Sequence, residues 1–429
     1  MLNRSNLGAA LALLCALCTA SQAHAAGFAI FEQGARGMGF AGAYTAQTQD
    51  PSAIFHNAAG IAFLKGKQIY FGSSFIAPKS DFTGDNPYPG AGVTETGDAG
   101  VLPVPSVYYA QPFSEKLSFG LGVHTPYGLK TQWKDRETYS GRFVSQLAEL
   151  KSFSINPTLA YKVRDRFAIG AGLDIRLSTV TLERAVPAID PFTLQVVDAA
   201  KVRLESDTGT GIGFNVGVLG KPSENVSVGL AYRHKVKVDY TGNATFTLKP
   251  TGNAQLDGAI ASVVPAGAVP ITTSIEFPGI ASGGVAYTWG EWTFEGDVDW
   301  YQWSKFKQID LAFQGRSDLD ETITEDYKNS WQFRLGAERI LNDVWAVRGG
   351  YFFDQTPAPL ESVGPILPDA SRNGIALGAS WKHGRWRVDA ANWILLFNKR
   401  STEGQNRDRY EGTYDSWAEI FALSIGYSF

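Results

Sequence analysis

The side chains best suited to chemistry are scattered along this sequence. Gly37-Met38-Gly39-Phe40-Ala41-Gly42 spells a G-x-G-x-x-G. That motif binds dinucleotides only where a strand precedes it and a helix follows, so that backbone amides meet a pyrophosphate. No strand-like run comes before Gly37, and the hexapeptide reads as a tightly folded glycine-rich segment. His56, His124, His234 and His383 stand far apart, and neither His-Glu-x-x-His nor Gly-x-Ser-x-Gly occurs. Isolated histidines are more often hydrogen-bonded polar residues than ligands, so no catalytic residue, metal site or cofactor is expected. A hydrolase with Ser, His and Asp on strand ends remains a rival, one that ester hydrolysis by the purified protein would reveal.

Aromatic and backbone-breaking residues carry more. Tyr127-Gly128-Leu129-Lys130-Thr131-Gln132-Trp133 is followed by Gly141-Arg142-Phe143 and by a helix-compatible stretch, Ser145 to Lys151. An apolar loop at a surface is disfavoured unless something apolar binds it, so Tyr127, Trp133 and Phe143 are candidate ligand contacts. The alternative is a loop packed on its neighbours or on lipopolysaccharide. Pro126 cannot donate to a sheet, and Gly128 lets the backbone leave the ladder. A strand reaching Pro126 is expected to kink inward and open a gap through which an apolar molecule leaves sideways.

The elements holding these residues are strands. At the C-terminus Phe421, Leu423, Ile425, Tyr427 and Phe429 alternate with Ala422, Ser424, Gly426 and Ser428. Such period-two alternation with aromatics on one face suits a lipid-facing strand, although the edge of a soluble sandwich alternates too. Strand-like runs begin near Ile69, Val104, Leu117, Phe153, Phe167, Gly211, Val226, Gly279, Glu291, Trp331, Val344, Gly374, Trp386 and Ser416. The connections between them alternate strictly between short turns and long loops rich in Gly, Pro, Asp and Asn. In an outer-membrane barrel the short side is periplasmic and the long side extracellular. The expected fold is all-β: a transmembrane antiparallel barrel of about fourteen strands over 67–429.

Ahead of it, Leu7 to Leu17 and Ala23-His24-Ala25 read as a cleaved signal peptide over 1–25. Both cysteines, Cys15 and Cys18, lie inside it, which leaves no thiol chemistry to the mature chain. Residues 26–66 are rich in Gly, Ala and Phe. They suit a hatch inside a lumen too wide for wall side chains to fill, with a disordered periplasmic tail as the alternative. The formal net charge is −4, no basic run suits nucleic acid, and no stretch of eighteen apolar residues reads as a membrane helix. An outer-membrane monomer is expected, in contact with lipid, lipopolysaccharide and the barrel-assembly machinery.

From Ala26 to Phe429 the chain resembles the outer-membrane long-chain fatty-acid transporters, the FadL, OmpP1 and aromatic-hydrocarbon porin family. The likeness is carried by Ala26-Gly27-Phe28, Asn57-Ala58-Ala59, Pro126-Tyr127-Gly128-Leu129, Ile155-Asn156-Pro157-Thr158-Leu159-Ala160-Tyr161 and Pro368-Asp369. It implies a fourteen-stranded barrel with an N-terminal hatch, a groove at the mouth, a pocket within and a lateral opening at the kinked third strand. The family's hatch usually reads Asn-Pro-Ala. Here Asn57, Ala58 and Ala59 lack the proline that fixes a backbone torsion, so the hatch is expected to be held differently.

The resemblance also implies that Arg184 and Lys328 meet a substrate carboxylate and that Phe28 touches the ligand. Alternatively, the two cations pair with Glu183 and Asp326. The expected function is passive uptake of hydrophobic molecules, long-chain fatty acids first and aromatic hydrocarbons or alkanes second. An adhesin or structural barrel is the rival from another class.

Overall fold

The computed structural model describes residues 27–47, 49–191, 193–265 and 267–429; the leader expected over 1–25 and the mature start at Ala26 lie outside the described residues. Fourteen antiparallel strands form the wall. They are β1 (Gln68–Gly84), β2 (Leu102–Pro112), β3 (Leu117–His124), β4 (Leu147–Arg164), β5 (Phe167–Ile189), β6 (Gly209–Gly220), β7 (Val226–Arg233), β8 (Ile280–Trp289), β9 (Trp292–Tyr301), β10 (Ser330–Ile340), β11 (Trp345–Asp354), β12 (Arg372–His383), β13 (Trp386–Phe397) and β14 (Gly412–Ser428). Each pairs with the next, and β14 closes on β1 from Gln68↔Ser428 to Gly84↔Gly412. Closure removes the free edges that lipid, which offers no hydrogen bonds, would leave unsatisfied.

Alternation places the side chains. On β14 Trp417, Phe421 and Leu423 are exposed, whereas Ala418, Ile420, Ala422 and Ser424 are buried against the interior. Tryptophans cluster near the short turns, with Trp289, Trp292, Trp345 and Trp386 all facing outward, as in an interfacial girdle. Turns at 113–116, 165–166, 221–225, 290–291, 341–344 and 384–385 lie on one side, and the seven long connections lie on the other.

Those long connections contain more strand than their polar composition suggests. Val196–Ser206 pairs with the outer end of β5, while Val236–Leu248 and Gly267–Phe277 form a second outer hairpin bridged by the helix Ala254–Val263. Ser145 to Lys151, expected to suit a helix, instead enters β4 at Leu147. There Leu147–Lys151 pairs with Glu183–Thr179 on one side and with Gln132–Gly128 on the other. Backbone partners on both edges override the local preference of a short segment.

The N-terminal segment fills the lumen. Every described residue from Phe31 to Ala62 except Gln49 is buried, through two short helices, Ala35–Gly39 and Ala53–His56, and a 3-10 turn, Ala58–Phe63. Charge holds it to the wall: Arg36 pairs with Glu338 at 2.8 Å, and the amides of Tyr44 and Thr45 donate to Asp297 at 2.8 and 2.9 Å. Trp393 Nε1 donates to the Met38 carbonyl at 2.6 Å. Hydrogen bonds to ionised groups are the stronger kind, and a polar lumen supplies them where a greasy core could not.

At the chain end Phe429 is exposed, with its ring 5.0 Å from that of Tyr427 and its amide donating to the Lys67 carbonyl. It extends the outward aromatic row without filling a core. Phe429→Ala is therefore expected to leave the folded barrel's stability nearly unchanged while slowing its assembly into the membrane. Heat-modifiable band intensity over time checks this, and wild-type assembly rates would remove the terminal aromatic from the assembly signal.

Candidate functional site: an aromatic cage, a broken strand and a mouth cavity

The chain enters the lumen over Trp303. Gly27 adopts φ 62° there, and a Cβ on it would come within 2.8 Å of the Trp303 ring, so the close crossing requires glycine. Its amide donates to Asp369 Oδ2 at 3.3 Å, which gives the Pro368-Asp369 pair a role in holding the hatch tip.

Phe28 then enters an aromatic cage. Its ring meets those of Trp303 and Phe306 edge-on at 4.8 and 5.1 Å, and those of Tyr127 and Phe277 at 6.1 Å each. Edge-to-face contacts of this kind add about 0.5–1.5 kcal/mol each to the burial itself. Phe28 thus occupies the cage as an apolar ligand would.

Buried charge lies against the cage. Arg176 is fully buried and sits 4.8 Å from the Tyr127 ring centre and 5.0 Å from that of Phe277. It donates to Asp174 at 2.8 Å, and Arg233 donates to the same carboxylate oxygen at 2.9 Å. Two guanidiniums therefore share one carboxylate, and among the described residues neither Arg176 Nη1 nor Asp174 Oδ1 has a further hydrogen-bond partner. Two buried cations against one carboxylate leave an excess positive charge, which is costly unless a further anion meets it.

The wall opens beside the cage. β3 pairs with β2 only from Ser118 to Val123, turns inward at Thr125–Tyr127, and resumes as Gly128–Gln132 along β4 alone. Leu102–Ser106 of β2 is consequently paired with β1 but not with β3. Pro103 and Pro105 lie on this half-paired stretch, and prolines carry no N–H to leave unsatisfied toward lipid. The N-terminal segment lies along the inner side: the Ile30 amide donates to the Pro126 carbonyl at 2.9 Å, and the Gly128 amide to the Phe28 carbonyl at 3.0 Å. A cavity of about 150 Å³ beside the break is lined by Gly27, Leu129 and Trp133 and also by Lys79 and Trp417, which face outward.

At the outer mouth lies a cavity of about 360 Å³. Phe143, Leu182, Leu204 and Ile323 provide its apolar lining, with Arg184 and Glu325 among the polar groups. Arg142 ties the loop under it to Asp198 at 2.9 Å.

The structure distributes the candidate residues among these places. Phe28 and Tyr127 share the cage, with the Tyr127 hydroxyl donating to the Pro278 carbonyl at 2.8 Å. Phe143 and Arg184 share the mouth cavity. Trp133 is 2% exposed, its Nε1 donating to the Pro365 carbonyl at 3.1 Å, so it is packed in a loop core and borders the cavity beside the break from there. Pro126 and Gly128 stand at the break.

Asn57, Ala58 and Ala59 lie against paired glycines of β5 and β6. A Cβ on Gly170 would run into the Ala58 backbone, and one on Gly217 into Asn57. Asn57 Oδ1 accepts from the Ala59 amide at 3.1 Å, and its Nδ2 donates to the Val218 carbonyl at 3.1 Å. Capping by the asparagine thus orders the turn without a proline.

Arg184 and Lys328 are not brought together. Arg184 is paired with Glu321 at 2.6 Å instead of Glu183, which is held by Lys201 and Arg203. Lys328 is exposed next to buried Tyr327, and Asp326 pairs with Arg407 at 2.8 Å. Sequence reasoning missed Arg176, Arg233, Glu325 and the two prolines of β2. Asp174 and Arg176 were legible in part, since residues two apart on a strand share a face and both are charged.

Comparison with known proteins agrees with this architecture. Residues 16–429 match the family described as outer membrane protein transport protein (OMPP1/FadL/TodX). A long-chain fatty acid transport protein of Salmonella typhi is 24% identical over 100% of this chain and 99% of its own length. The fold is that of a Pseudomonas aeruginosa FadL homologue, with TM-score 0.83 and 21% identity over 94% of this chain and 100% of that one. The toluene transporter TbuX of Ralstonia pickettii matches with TM-score 0.68 and 18% identity over 93% of this chain and 100% of that one. The chain belongs to the OMPP1/FadL/TodX family, and is a non-enzymatic β-barrel transporter of hydrophobic compounds in the outer membrane of a Gram-negative bacterium.

Proposed function

We propose that the compounds carried are long-chain fatty acids, captured at the mouth cavity, passed to the aromatic cage as Phe28 withdraws, and released sideways through the break in β3. Residues 26–66 act as the hatch, and no energy source is required. The observation that carries this reading is Arg176: a fully buried guanidinium with Nη1 unpartnered, against the rings that hold Phe28. A carboxylate leaving water needs a charge-assisted partner, and the cage rings suit an alkyl chain. We place the anchor at Arg176 rather than at Arg184 and Lys328, since Arg184 is half-exposed and has Glu321 to itself, Arg176 is buried and shares Asp174 with Arg233, and Lys328 lies outside both cavities. The sideways exit is supported by the cavity that runs from Gly27 to outward-facing Trp417.

A second reading, uptake of aromatic hydrocarbons, is favoured by the ring-lined cage, which binds neutral rings without any cation. Growth separates the two. A bacterium deprived of its own fatty-acid importer is expected to grow on oleate as sole carbon source when it expresses this protein. Failure to grow, alongside retained uptake of toluene, would transfer the assignment to neutral hydrocarbons.

A further inference from the structure

The mouth cavity holds a charge arrangement that a simple carboxylate trap would not have. Both of its cations are engaged: Arg184 by Glu321 at 2.6 Å, and Arg407 by Asp326 at 2.8 Å. Glu183 is likewise neutralised, by Lys201, Arg203 and Arg136. The remaining charged groups on its lining are the carboxyls of Glu325, Glu361 and Asp408.

Glu325 differs from the other two. It is 6% exposed, follows the outer strand segment Glu321–Thr324, and its Oε2 has no hydrogen-bond partner among the described residues. Burial, helped by the neighbouring Asp408 charge, pushes its carboxyl up to about 8, and burial also raises that of Asp408. Arg407 opposes the rise at Glu325, and Asp326 and Asp369 add to it. An unpaired buried polar atom costs free energy unless something meets it. Leu182, Leu204, Leu311 and Ile323 add apolar surface to the same cavity.

We propose that this cavity is a head-group site for uncharged amphiphiles, an alkyl chain ending in an alcohol or an undissociated carboxylic acid, with the Glu325 carboxyl as hydrogen-bonding partner. The inference rests on the reading of the mouth cavity as the capture site and specifies what is captured. A permanently anionic head group finds no free cation there and faces three carboxyls. A fatty acid is accepted in its undissociated form, so capture weakens as pH rises and both the ligand and Glu325 ionise. At the cage, by contrast, a carboxylate is matched by Arg176.

Binding to the full barrel in nanodiscs tests this, with 1-dodecanol, dodecane and dodecane-1-sulfonate as probes. Wild type is expected to hold the alcohol about three- to tenfold more tightly than the alkane, the worth of one neutral hydrogen bond. In the Arg176→Met barrel, whose cage has lost its cation, the sulfonate is expected to bind no better than the alkane. Glu325→Leu should bring the alcohol down to the alkane level. Glu325→Gln, which keeps a hydrogen-bonding head, should retain most of the preference and so controls for a general disturbance of the loops.

A sulfonate held by the Arg176→Met barrel as tightly as the alcohol overturns the proposal, as does an alcohol preference that survives Glu325→Leu. Loss of dodecanoate binding in Arg176→Met together with an alcohol preference indifferent to Glu325 would reject the mouth site alone. Retained dodecanoate binding in Arg176→Met, together with a preference that vanishes in Glu325→Leu, would reject the cage anchor alone.

Discussion

A barrel lacking residues 26–60 is expected to fold and to conduct ions in planar bilayers about an order of magnitude better than the intact protein, because a lumen of this width is not filled by its own wall. The wall does not need the segment for its ladder, since the strands from β1 to β14 close on each other. It does rely on the segment to occupy space and to neutralise charge. Removal exposes Glu338, Asp297 and Glu295, which now hold Arg36 and the amides of Tyr44, Thr45 and Ala46. These groups face an aqueous lumen once the hatch is gone and become its ion-conducting lining. Unchanged conductance would mean that the outer loops make the seal and that the buried segment serves another purpose.

The second large effect is expected at Arg176. Arg176→Met keeps an unbranched apolar stem between Tyr127 and Phe277 but removes the charge. Dodecanoate binding should fall by roughly tenfold to more than a hundredfold. A hydrogen bond to a charged group contributes about 1.5–3 kcal/mol at 1.4 kcal/mol per decade, and removing the balancing cation adds to the loss. Dodecane should be held nearly as before, because methylene burial is indifferent to the head group. Lys328→Ala serves as a comparison: its side chain is exposed and lines neither cavity, so fatty-acid affinity should hold. Equal losses of acid and alkane in Arg176→Met would make the arginine architectural, a partner of Asp174 and Ser154 only.

How far the sequence reaches is clearest in β14. The alternation from Phe421 to Phe429 appears in the structure as outward and inward faces in the same order, because side-chain direction on a strand is a local property with period two. Turn lengths are local as well, and their strict alternation sorted the connections into the two ends the barrel has. The Pro126–Gly128 break was legible for the same reason: a missing N–H and a missing Cβ act where they stand.

Pairings across the barrel were beyond sequence reasoning, and the two proposed anchors show why. Arg184 was expected to meet a substrate carboxylate, with Glu183 as the alternative partner, but adjacent residues on a strand point to opposite faces, and the chain brings Glu321 to it from a different connection. Phe28 lies far along the chain from Phe277, Trp303 and Phe306, and only the placement of the hatch inside the closed wall joins them. Glu325 Oε2 has no hydrogen-bond partner among the described residues and the cations on its cavity are taken by other carboxylates, an outcome that depends on every neighbour at once. By itself the sequence determined strand period, turn side, the break in β3 and the segment left to fill the lumen, all set within a few residues of backbone. Tertiary structure alone decided which charge meets which and what surrounds Phe28, because register and closure bring together residues that no local pattern links.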